Sequence, residues 1–249
     1  MAQQKDRIDR LLVARRLFES RAKAQAAIEA GLVSVDDAPI RKASDEVAVD
    51  ARIVASPAHP YVSRGGVKLA AALDRFGFDP RGRVCLDVGA STGGFTQVLN
   101  ERGARTVYAV DVGRGQLHES LRNRPGIVSI EETDIREVSP ARLGDAPDLV
   151  TIDVSFISLK LVLPAAAKLV AAPAQLVALI KPQFEAGPAL VKKGVVREPA
   201  VHAEVCAEIV TLIAALGWRV AGVISSPIAG GDGNAEFLLG AEFAMASRG

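Results

Sequence analysis

Apolar positions along this chain follow two rhythms. Up to about residue 58 they are sparse and either helically spaced or gathered in short pieces. Ile8, Leu11 and Leu12 recur at helical spacing, with Leu17 and Phe18 following. Ser20 suits the N-cap of a second helix through RAKAQAAIEA, and Gly31 stands where a left-handed helix stop is expected. Two strand-like pieces, LVSV at 32–35 and EVAVD at 46–50, are separated by a turn that Asp36, Asp37 and Pro39 mark. The segment SPAHPY at 56–61 carries two prolines and reads as a connection. The expected organisation is a small α+β recognition domain over 1–58, a linker over 59–64 and a larger domain over 65–249.

Beyond residue 61, continuous apolar runs alternate with helical stretches. The runs are VCLDV at 84–88, TVYAVDV at 106–112, DLVTIDV at 148–154 and QLVALI at 175–180, then RVAGVIS at 219–225 and EFLLGAEF at 236–243. Strands buried on both faces have this appearance, and their alternation with helices predicts an α/β fold with a parallel, doubly wound, Rossmann-like sheet.

Composition agrees with a folded protein. Of 249 residues 49% are hydrophobic and 24% charged, which excludes general disorder. Cys85 and Cys206 lie far apart beside apolar residues and read as buried thiols in a reducing compartment. His59, His118 and His202 have no triad or metal-ligand spacing, so no metal is expected. The N-terminus lacks an apolar leader, and the longest apolar stretch, Leu161 to Ile180, is interrupted by Pro164, Lys168, Pro173 and Gln175. The expectation is a cytoplasmic, monomeric protein with no membrane partner. Thirty basic side chains nearly balance 29 acidic ones, but residues 5–23 carry seven basic against three acidic. Arg7, Arg10, Arg15, Arg16, Arg21 and Lys23 in that stretch are candidates for contact with a polyanion.

Candidate chemistry collects at the ends of the predicted strands. The first run ends in DVGASTGGFT, 87–96, with Gly89, Gly93 and Gly94 in the turn into a helix. Such a turn lets backbone approach a ligand at the carboxyl edge of the sheet. Its spacing matches neither the dinucleotide G-x-G-x-x-G nor a P-loop. Asp111 ends the second run, where a carboxylate can accept both ribose hydroxyls of an adenosine-bearing cofactor. Asp134 follows a third apolar piece, GIVSI, and is a candidate for the adenine amino group. Lys181, before Pro182 at the end of QLVALI, and Asp153, at the end of DLVTIDV, occupy the same edge.

Seven segments carry a resemblance to a known family: YVSRGGVKL (61–69), LDVGASTGGFT (86–96), YAVDVG (108–113), IDVSFISL (152–159), LIKPQFEAG (179–187), KKGVVR (192–197) and GNAEFLL (233–239). In this order they resemble the TlyA family, S-adenosylmethionine-dependent rRNA 2′-O-methyltransferases sometimes named haemolysins. The N-terminal part resembles the RNA-binding domain of ribosomal small-subunit protein four, and the remainder an FtsJ/RrmJ-type methyltransferase. At VDDAPIRKAS, 35–44, the chain departs from the Asn-Gly turn and Lys-Pro-Gly expected there.

The resemblance implies a catalytic Lys-Asp-Lys-Glu set, which by motif is Lys68, Asp153, Lys181 and Glu236. Transfer to a ribose hydroxyl asks for alignment and help in proton loss. Lys181 is the candidate for orienting and deprotonating the hydroxyl. Lys68 nearby would favour an uncharged amine, and the two carboxylates would oppose it. The resemblance further implies S-adenosylmethionine binding by Asp87, Gly89, Ala90, Ser91, Gly93, Gly94, Phe95, Thr96, Asp111 and Asp134, although Phe95 equally suits packing under the helix. Ser63, Arg64, Lys192, Lys193 and Arg197 are candidate phosphate contacts. The implied substrate is rRNA or a ribosomal subunit: cytidine in large-subunit rRNA and, in some members, small-subunit rRNA too. With aromatics at 4%, recognition is expected to rest on RNA shape, phosphates and the 2′-OH, with the target nucleotide unpaired or flipped out. The alternatives are a membrane-permeabilising haemolysin and a non-catalytic RNA-binding assembly factor.

Overall fold

The structure is a computed structural model that describes residues 4–244. It divides into two compact units, Met1–Pro60 and Tyr61–Gly249.

In the first unit, helices Ile8–Ala14 and Arg21–Glu29 accompany a two-stranded pairing of Lys5–Arg7 with Glu46–Ala48. A three-stranded sheet orders Ala38–Pro39, Val33–Val35 and Ile53–Ala55. Ile8, Leu12, Ala24, Ala27, Ile28 and Val33 form its core, as the helical spacing predicts. Ser20 caps the second helix by accepting from the Lys23 amide. The departure from an Asn-Gly turn leaves the hairpin intact. Asp36 and Asp37 both take positive φ (49° and 64°), and Val35 pairs with Ala38 across them, a two-residue I′-like turn. Aspartate tolerates this conformation better than most residues, and the Asp36 carboxylate accepts the Arg52 amide at 2.9 Å.

The second unit is a three-layer α/β/α sandwich. Its strands are β1 (Val84–Val88), β2 (Thr106–Val110), β3 (Ile127–Ile130), β4 (Leu149–Ile152), β5 (Ala174–Ile180), β6 (Arg219–Ser225) and β7 (Phe237–Phe243). They lie in the order β3-β2-β1-β4-β5-β7-β6. Alternation along β1 places Val84, Leu86 and Val88 toward one helical layer and Cys85 toward the other. The first layer holds α3 (Leu159–Ala167) and α4 (Pro199–Ala215). The second holds α1 (Gly65–Phe76) and α2 (Gly94–Glu101), through Leu69, Leu73, Val98 and Leu99. Both faces are covered, which is why the strands read as unbroken apolar runs.

The sheet corrects the expectation of parallel strands throughout. β1 to β5 are parallel, but β7 runs antiparallel to both β5 and β6. No long helix links β6 to β7; residues 226–236 return directly, and a connection of that kind pairs strands antiparallel. No helix among the described residues is long and apolar enough to cross a membrane.

Candidate active site

The carboxyl ends of β1, β2, β4 and β5 open onto one edge of the sheet, and loops from all four meet there. β1 leads into the glycine turn. Gly89 has φ +80°, its amide reaches the Val110 carbonyl at 2.9 Å, and a Cβ on it would overlap the Asp153 carbonyl. Only glycine lets the two strand ends approach this closely. Gly94 opens α2 against the start of α1, where a Cβ would overlap the Ser63 hydroxyl.

Asp111 follows β2. Its Oδ2 accepts the Ser91 amide at 2.8 Å and its Oδ1 the Gly113 amide at 2.7 Å. Asp134 caps a 3-10 turn, accepts the Arg136 amide at 2.9 Å and lies 2.6 Å from the Arg136 guanidinium, whose hydrogen bonds hold its carboxyl below the usual range. The two loops are joined through Asp111 N to Ile130 O and Thr133 N to Asp111 O. Glu131 adds a tie the sequence did not suggest. Its carboxylate accepts three successive amides, from Gly115, Gln116 and Leu117, at 2.6, 2.7 and 3.0 Å. Those amides hold its carboxyl low.

Between these loops lies a pocket of about 360 Å³. Gly89, Ser91, Asp111 and Asp134 line it together with the apolar side chains of Val112, Ile135, Val154 and Ile157. A second pocket, of about 270 Å³, shares Gly89, Ser91, Asp153 and Ser155 with the first. It is lined by Ser63, Arg64, Lys68, Lys181, Ala90, Gly94 and Phe95. One half is thus largely apolar with acidic groups, and the other polar with two lysines.

Three expected cofactor residues line neither pocket. Gly93 is the N-cap of α2 and packs against Leu117 and Leu121. Asp87 and Thr96 are fully buried behind the turn. Asp87 accepts the hydroxyls of Thr96 at 2.6 Å and Thr151 at 3.0 Å, and burial pushes its carboxyl up to about 7. It acts on the turn through α2 and β4. Phe95 lines the second pocket and also packs beside Gly65 at the start of α1.

The four expected catalytic side chains form two ion pairs. Lys68 Nζ lies 2.5 Å from Glu236 Oε2, both buried. Lys181 Nζ lies 2.6 Å from Asp153 Oδ1, while its directed hydrogen bond goes to Ser155 Oγ at 2.9 Å. Asp153 and Lys181 come from the ends of β4 and β5, Lys68 from the first turn of α1, and Glu236 from the residue before β7. Because β7 is antiparallel, its entry lies at the same edge as the exits of β4 and β5. Lys68, Asp153 and Lys181 line the second pocket, and Glu236 reaches it through Lys68.

Ser155 and Phe156 are functional candidates that the sequence reading missed. Phe156 is 90% exposed at φ +63°, at the rim of the first pocket, with its ring 5.1 Å from that of Phe184. An aromatic face held in the open at the rim of this pocket can stack a base. Glu185 ties the segments that carry this pair. It accepts the Ser158 hydroxyl at 2.5 Å and the Leu159 amide at 2.7 Å, and burial raises its carboxyl.

The expected RNA contacts divide by partner. Arg7 and Arg21 converge on Asp9, which is 0% exposed, at 3.1 and 2.6 Å, and Gln25 joins them. The Arg7 hydrogen bond, with those of Arg21 and Gln25, holds that carboxyl far below the usual range. Arg15 donates to the carbonyls of Val49 and Ala51, and Lys23 pairs with Glu19 at 2.5 Å. Arg7, Arg15 and Arg21 serve the fold of the unit first, whereas the Lys23 pair lies on the surface. Arg10 and Arg16 are exposed, and no acidic side chain pairs with either among the described residues. In the second unit, Lys192 and Lys193 sit on a two-residue turn where Lys193 and Gly194 take φ 52° and 77°. Both lysines and Arg197 are exposed, and Lys192 lies 3.6 Å from Glu198. Arg64 precedes α1 at the mouth of the second pocket.

Residues 61–243 match the FtsJ-like methyltransferase family, and residues 6–53 match the S4 domain. The chain is 44% identical to the Mycobacterium tuberculosis 16S/23S rRNA (cytidine-2′-O)-methyltransferase TlyA, over 94% of this chain and 88% of that one. It is also 44% identical to YqxC of Bacillus subtilis, over 96% of this chain and 86% of the relative. A solved structure of a candidate haemolysin from Streptococcus thermophilus superposes with a TM-score of 0.77 at 40% identity, covering 98% of this chain and 90% of that one.

Proposed function

The chain belongs to the FtsJ-like methyltransferases, in the TlyA family, and from that premise we propose that it transfers a methyl group from S-adenosylmethionine to the ribose 2′-OH of a cytidine in ribosomal RNA. The observation that carries the reading is the double ion pair, Lys68–Glu236 and Lys181–Asp153, at one mouth of an acid-lined, largely apolar pocket. Large-subunit rRNA is the first substrate proposed, with small-subunit rRNA as the second.

The residues of the first pocket fit an adenosine-bearing cofactor. Each Asp111 oxygen accepts one backbone amide and keeps capacity for a ribose hydroxyl. Val112 and Ile135 offer apolar flanks to an adenine, and Asp134 an acceptor for its amino group. S-adenosylmethionine supplies, when bound, an electrophilic methyl on a sulfonium.

This chain's own task is to align the hydroxyl and take its proton. In the proposed arrangement Lys181 in its amine form takes the proton, and Asp153 stabilises the ammonium so formed. Ser155 fixes the direction of Nζ through its hydrogen bond. Lys68, held by Glu236, places a cation beside the nucleophile. With Lys181 as the amine the set holds one cation and two anions, which avoids repelling a cationic cofactor. Phe156 offers a stacking face to a flipped base.

The test is transfer of labelled methyl from S-adenosylmethionine to unmethylated small and large subunits, with Lys181→Ala alongside. The native protein should label RNA, and the variant should lose about a hundredfold or more in rate while cofactor affinity stays within a few-fold. A fall in cofactor affinity as large as the fall in rate would make Lys181 a binding residue and end this assignment.

A further inference from the structure

Two of the segments that mark the family, KKGVVR and GNAEFLL, meet at a side chain without a role in methyl transfer so far. Asn234 is 3% exposed, and both ends of its carboxamide are hydrogen-bonded. Oδ1 accepts the Val196 amide at 3.3 Å, and Nδ2 donates to the carbonyls of Gly194 at 3.0 Å and Gly231 at 3.1 Å. The first two bonds grip the base of the turn that presents Lys192 and Lys193. The third closes the turn 230–234, whose ends are also joined by Gly230 N to Asn234 O at 2.9 Å. That turn lies directly behind the catalytic carboxylate, since a side chain on Gly230 would overlap Glu236. Val196 is held from its other side as well. Its carbonyl meets His202 Nε2 at 2.9 Å, and the His202 ring lies 5.7 Å from Phe237, the neighbour of Glu236.

We propose that Asn234 is a positioning residue that locks the basic turn at Lys192–Lys193 to the segment carrying Glu236, so that RNA held by the lysines is in register with the Lys68–Glu236 pair. The proposal rests on the reading of the chain as an RNA methyltransferase. A hydrophobic residue of similar size could fill the space, but it would take their side-chain partner from the Val196 amide and the Gly194 carbonyl. The carboxamide is suited to the task because it accepts from and donates to the lysine turn while donating also to the turn before Glu236.

The experiment is a double-mutant cycle in the full-length protein, with unmethylated ribosomal subunits as substrate. In the native background, Lys192→Ala with Lys193→Ala should raise KM for subunits about tenfold. In Asn234→Ala the KM is already raised, and removing the lysines should cost about threefold or less, because the turn no longer presents them. Asn234→Asp, which keeps the acceptor and loses both donors, should behave in the same direction and guards against a failure of the alanine variant to fold. In both variants affinity for S-adenosylmethionine should stay within about twofold, since Asn234 does not line the cofactor pocket. Hydrogen exchange at the Val196 amide should quicken in Asn234→Ala. Lysine effects of equal size in both backgrounds would overturn the proposal, and loss of cofactor affinity in step with KM would reduce Asn234 to a structural residue. No lysine effect even in the native background would instead remove the RNA contact itself, and the proposal with it.

Discussion

Asp87 shows how a single carboxyl can set the pH response of the larger unit. Buried against Thr96 and Thr151, it binds its proton up to about pH 7 in the folded state, against about 3.9 in an unfolded chain. Between those values the folded form holds more protons than the unfolded one, so this group makes stability fall as the pH rises. The native protein should therefore lose stability relative to Asp87→Asn between pH 5 and 8, read by denaturant unfolding at each pH. A constant difference across that range would show that the carboxyl titrates alike in both states. Glu131 gives a second test at this scale. Replacing it with glutamine sets an amide group against three backbone N–H donors, and KM for S-adenosylmethionine should rise about tenfold with kcat little changed. Asp111, Asp153 and Lys181 were legible in the sequence because each closes an apolar run, and the ends of such runs form one edge of the sheet. Ser155, Phe156 and Glu131 were not legible. Their significance lies in what faces them, and no spacing encodes that.

At the scale of elements, the strands of the larger sheet were read to within about two residues at each end, because burial on both faces leaves a continuous apolar signature, whereas Lys5–Arg7, Ala38–Pro39 and Ile53–Ala55 in the first unit are too short to leave one. Direction left no such trace. β7 has the same composition as a parallel strand, and only the missing helix before it betrays its orientation. Charge was the least legible property of the N-terminal helices. Seven basic residues suggested one surface, but Arg7 and Arg21 neutralise the buried Asp9, and Arg15 secures the chain at Val49 and Ala51. Arg15→Ala should thus cost about 1–3 kcal/mol of stability in this unit by leaving carbonyls unpaired. Hydrogen exchange across residues 33–55 is the measurement. Arg10→Ala with Arg16→Ala should leave that exchange unchanged and weaken binding to ribosomal subunits. Equal destabilisation by both changes would contradict this division of roles.

At the scale of the molecule, net charge is only +1, so RNA affinity has to come from local clusters and not from overall attraction. Two sets of exposed basic residues lie in different units: Arg10 and Arg16, and Lys192 and Lys193. Their removal should have additive effects on the free energy of subunit binding. Each change should flatten the slope of affinity against salt by about one for every phosphate left without a cation. Binding titrated against salt for each pair and for the combination tests this.

The antiparallel β7 also bears on timing. It is the last strand of the sheet to be made, yet it takes an interior place between β5 and β6 and brings Glu236 with it. Until residues 237–243 emerge, β6 has no neighbour to pair with and Lys68 lacks its carboxylate. A nascent chain on the ribosome can therefore form the glycine turn and the acidic loops well before Lys68, Asp153, Lys181 and Glu236 are all in place.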